Sequence, residues 1–79
     1  MMGDTVGMSS FTVIIRPDED GGFVATVPAL AGCYTQGDTL DETRANVQEA
    51  IRGYLKVLRD SGDPIPDDSQ IITETVLAS

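Results

Sequence analysis

The hydrophobic period of this chain changes abruptly at Gly37-Asp38-Thr39, and that change limits the fold more than any other feature. Before it, short runs rich in β-branched and aromatic residues alternate in and out, the pattern of half-buried strands. After it, apolar residues recur at spacings of three, four and seven, the pattern of one long amphipathic helix. Residues 10–16 (SFTVIIR) read as a first strand, with Phe11, Val13 and Ile15 on one face and Thr12, Ile14 and Arg16 on the other. Asp20-Gly21 marks a hairpin turn, because it supplies residues that tolerate positive φ. Residues 23–27 (FVATV) form the second strand, which stops at Pro28 for want of a ladder N–H. After the bend PALAG, residues 32–36 (GCYTQ) read as a shorter third strand.

The helix is predicted over residues 40–60. Thr39-Leu40-Asp41-Glu42 fits a capping box, in which the Thr39 hydroxyl accepts from the Glu42 N–H and the Glu42 carboxylate reaches back to the cap. Leu40, Val47, Ile51, Tyr54, Leu55 and Leu58 fall on one stripe, widened by Ala50 and Val57. Arg44 falls on the flank of that stripe, where it can snorkel or pair with a carboxylate. Gly62 is placed to end the helix, with Pro64 just beyond. Residues 71–77 (IITETVL) read as a fourth strand. The order is β-β-β-α-β, an α+β class with a small sheet covered on one face by a single helix. The other face, carrying Ile14, Val24 and either Tyr34 or Cys33, is left bare, which points to a homodimer or higher homo-oligomer. Residues 1–9 read as a flexible leader and residues 10–79 as a single domain.

Composition narrows function by exclusion. The 79 residues include no His, removing the commonest general base and zinc ligand. The single Cys33 forms no internal disulfide and fits a reducing cytoplasm. A net charge of -8 argues against direct nucleic-acid binding and against anionic membranes. No run approaches the ~20 apolar residues of a membrane span, and the N-terminal residues lack the basic and apolar regions of a signal peptide. So short a chain, without disulfide or metal, builds a thin core, a second reason to expect self-association.

The acidity is uneven. The helix holds four acids and four bases, leaving nine of the 13 acids and only Arg16 for the remaining chain. Asp18-Glu19-Asp20 is the densest acidic stretch. It lacks the spacing and distal Glu of a calcium loop, so no metal or cofactor is expected, and it reads as a solvated hairpin tip or as the contact for a basic partner. Cys33 has no His to activate it, so a buried structural role is expected rather than nucleophilic catalysis. Gly37-Asp38-Thr39 reads as a helix cap rather than an anion site, since Asp38, Asp41 and Glu42 already supply negative charge. Arg52, Lys56 and Arg59 make a short basic stripe, too small on so acidic a chain to read as a nucleic-acid surface.

Gly22-Phe23, Ala25, Pro28, Leu30, Gly32-Cys33, Gly37-Asp38-Thr39, Glu42 and Glu49-Ala50, at their observed spacings, resemble the HicB-like antitoxin family over roughly residues 11–77. Thr43-Arg44 departs from the Ala-rich turn usual there. The resemblance implies a partial RNase H-like, self-associating fold without nuclease activity. Gly22, Pro28, Gly32, Cys33, Gly37, Thr39 and Glu42 would be its structural motif residues. It also implies a partner, a small basic mRNA-cleaving toxin of HicA type in a type II toxin–antitoxin system, or else a stand-alone regulatory domain without a toxin. The toxin uses a catalytic His, so a chain lacking His falls on the antitoxin side. Longer relatives carry a C-terminal DNA-binding domain, so operator binding is not expected of this sequence. Asp18, Glu19 and Asp20 are the residues expected to meet a basic partner.

Overall fold

A computed structural model describes residues 10–78; the expected leader, residues 1–9, lies outside the described residues. Three antiparallel strands form one sheet in the order β1-β2-β3: β1 (Ile14–Pro17), β2 (Phe23–Thr26) and β3 (Tyr34–Gly37). The strands are shorter than the hydrophobic runs that signalled them, but the alternation of faces holds. Ile15 pairs with Ala25, which pairs with Thr35; Ile14 pairs with Thr26, which pairs with Tyr34. One helix, α1 (Leu40–Ser61), follows. The class is α+β, a small sheet with a helix across one face.

The helix begins where the cap chemistry places it. The Thr39 hydroxyl accepts from the Glu42 N–H at 3.0 Å, and Asp41 and Glu42 occupy the first turn, favourable for the helix dipole. The Glu42 carboxylate reaches one residue further back than a standard capping box, accepting from the Asp38 N–H at 2.6 Å. Gly62 ends the helix in the left-handed conformation, where the Gly62 N–H donates to the Arg59 carbonyl and the Asp63 N–H to the Leu58 carbonyl. Replacing Thr39 by Ala should lower stability by about 1 kcal/mol. A urea titration followed by the helical circular dichroism signal checks this, and a change below ~0.3 kcal/mol would show that the cap contributes little.

The core lies between sheet and helix: Ala25, Val27, Leu30, Cys33, Val47 and Leu55 are buried, with Phe11, Val13, Ile15, Ile51, Tyr54 and Leu58 packed against them. This settles which residue faces outward: Cys33 is in the core and Tyr34, 69% exposed, lies on the bare face. The apolar stripe needs three adjustments. Leu40 and Val57 are exposed, whereas Thr43 is completely buried and donates its hydroxyl proton to the Thr39 carbonyl at 2.7 Å. Val57 escapes burial because α1 lies over β2 and β3 and makes no close backbone approach to β1.

The expected fourth strand is not formed. After a 3-10 turn (Asp68–Gln70), residues 71–78 run without ladder partners, and Ile72, Val76 and Leu77 are 80%, 77% and 97% exposed. The physical reason is that a period-two pattern specifies faces but not a neighbour, and among the described residues no strand pairs with this segment. The turn itself is tethered. Asp68 accepts from both the Thr12 N–H and the Thr12 hydroxyl at 2.9 Å, which pins the root of the tail to the entrance of β1. Asp67 caps the turn by accepting from the Ser69 N–H at 2.9 Å; that bond, and a second to the Ser69 side chain, hold its carboxyl below the usual range. The cap therefore contributes above the ordinary Asp value and is lost as pH falls through the depressed one.

Candidate partner-binding surface

The acidic hairpin tip is a tight turn rather than a loose loop. The Gly21 N–H donates to the Asp18 carbonyl at 3.0 Å and the Asp18 N–H to the Gly22 carbonyl at 2.9 Å. Glu19 and Asp20 project into solvent, and Asp18 is half-buried at the base of the turn. Gly22 then lies against the end of β3. It has φ +76°, and a Cβ built there would sit 2.5 Å from the Gly37 carbonyl oxygen and 3.3 Å from the Asp38 Cα. Gly37 in turn lies against the helix: a Cβ there would stand 2.7 Å from the Thr43 hydroxyl oxygen and 2.8 Å from the Thr43 nitrogen. The contact chain Gly22–Gly37–Thr43 thus brings the hairpin tip and the start of α1 to the same end of the molecule.

That juxtaposition enlarges the acidic surface beyond Asp18, Glu19 and Asp20. Asp38, Asp41 and Glu42 are exposed and belong to the same end. Read along the chain, they look like helix-capping residues only; their nearness to the hairpin depends on close glycine packing, which no local pattern reports. Arg44 partly offsets them through a pair with Asp41 at 3.3 Å, both side chains largely in water and so worth little energetically. Between tip and helix runs a shallow cleft lined by Phe23, Gln36, Asp38, Glu42 and Asn46, where the Asn46 amide donates to the Gln36 carbonyl at 2.8 Å.

The other motif residues sit at the opposite end of the sheet. Pro28 and Gly32 frame the turn between β2 and β3, closed by the Leu30 N–H to the Val27 carbonyl and the Cys33 N–H to the Leu30 carbonyl. The Tyr54 hydroxyl donates to the Ala31 carbonyl at 2.8 Å, fixing the second half of α1 over this turn. The basic residues Arg52, Lys56 and Arg59 belong to that half of the helix, with Lys56 paired to Asp60 at 3.1 Å. Gly22, Gly37, Thr39 and Glu42 therefore build the acidic end, and Pro28, Gly32 and Cys33 build the far one. The far end also carries Asp60, Asp63, Asp67 and Asp68, so its three bases lie among acids, whereas six acids and two bases, Arg16 and Arg44, mark the hairpin end.

Burial pushes the Cys33 thiol above its ordinary value. Its neutral form is favoured by folding, so this contribution to stability is full below the unfolded thiol's value and is lost as pH rises through the folded one. In the native protein Cys33 should react with a thiol reagent at least ~100-fold more slowly than in urea, since only the exposed thiolate attacks. Comparable rates in the two states would place Cys33 outside the core. Among the described residues, no group of three or more Cys, Asp or Glu side chains converges as a metal site, and no helix is long and apolar enough to cross a membrane.

Comparisons with known proteins match this architecture. The chain is 51% identical over 59 residues to the UPF0150 protein Ta0767 of Thermoplasma acidophilum, covering 75% of this chain and 86% of the relative. It is 38% identical over 63 residues to the UPF0150 protein ssr1765 of Synechocystis, 80% of each chain. A UPF0150 protein of Archaeoglobus fulgidus is 47% identical over 53 residues, 67% of this chain and 77% of the relative. A family model described as the HicB-like antitoxin of bacterial toxin–antitoxin systems matches residues 11–77, from the approach to β1 through the tail. On the fold, the motif positions and these matches together, the chain belongs to the HicB-like antitoxin family.

Proposed function

We propose that this protein is the antitoxin component of a type II toxin–antitoxin pair and acts by binding, not by catalysis. Its acidic end, made of Asp18, Glu19 and Asp20 with Asp38, Asp41 and Glu42, docks on the cationic surface of a small mRNA-cleaving toxin of HicA type. A ribonuclease that grips RNA through Lys and Arg presents a cationic surface; an acidic partner competes with RNA for it and is steered to it by long-range attraction. The observation that carries this reading is the gathering of six acidic side chains at one end by the Gly22–Gly37–Thr43 contacts. Family membership supports the antitoxin role. The protein acts in the cytoplasm, where its mRNA-directed partner works and Cys33 stays reduced. No cofactor and no direct nucleic-acid contact are required.

Self-association belongs to the same reading. It is supported by the bare sheet face, where Ile14 and Tyr34 are exposed, and by the apolar tail. Co-expression tests the functional claim. A basic, His-containing reading frame beside the gene should arrest growth when induced alone and fail to do so with this protein present. Arrest that persists despite soluble antitoxin would contradict it.

A further inference from the structure

We draw no further inference here: the strongest candidate, the cleft between the hairpin tip and the start of α1 lined by Phe23, Gln36, Asp38, Glu42 and Asn46, belongs to the acidic surface already described, and among the described residues no buried unpaired side chain beside its carboxylates points to what would fill it.

Discussion

Replacing Gly22 by Ala should cost about 2–4 kcal/mol of stability, most of what a domain this small has to lose. Two effects act together. At φ +76° an L side chain crowds its own carbonyl, worth about 1 kcal/mol. The new methyl would also stand 2.5 Å from the Gly37 carbonyl oxygen, a backbone atom that cannot rotate away, and overpacking of that kind costs roughly 1–3 kcal/mol. Gly21→Ala is the internal control. Its φ of +101° is also positive, but nothing lies within 4 Å of its Cβ position, so only the conformational part should be lost. Equilibrium urea unfolding of both variants separates the terms. Equal losses would mean that the Gly22–Gly37 approach is not tight.

Reversing the hairpin tip, Asp18→Lys with Glu19→Lys and Asp20→Lys, should slow association with a basic toxin of the proposed HicA type by about a hundredfold at low salt. Among the described residues, the exposed Glu19 and Asp20 form no ion pair, so the fold should tolerate their change. The rate difference should shrink as added salt shortens the screening length to below about 10 Å. Stopped-flow mixing at two ionic strengths reads both effects. An unchanged rate at low salt would remove the tip from the interface.

Much of this was legible from residue order, for identifiable reasons. Helix start and stop are local chemistry: Thr39, Glu42 and Gly62 mark them within one residue because caps act over three or four positions. Strand faces were legible because period two is geometric, which is why Phe11, Val13 and Ile15 point inward as expected. What local pattern cannot carry is the identity of a neighbour. The run IITETVL has the pattern of a strand but pairs with none among the described residues. Val57 falls on the apolar flank but meets no sheet, because the helix leaves β1 uncovered. Thr43 looked like a departure from the family motif; its burial follows from the absent side chain of Gly37 opposite. The acidic end was half visible for the same reason. Asp18, Glu19 and Asp20 stand out as a run, whereas Asp38, Asp41 and Glu42 join them only through the glycine contacts.

On the proposed function, the acidic end built from hairpin tip and helix start binds a basic ribonuclease toxin. Isothermal titration of the purified chain with a basic, His-containing protein encoded beside it reads that interaction most directly. Binding should saturate at one toxin per protomer, with an affinity that falls as salt rises and is largely lost in the charge-reversed tip variant. No binding, or binding indifferent to both salt and the tip, would contradict it.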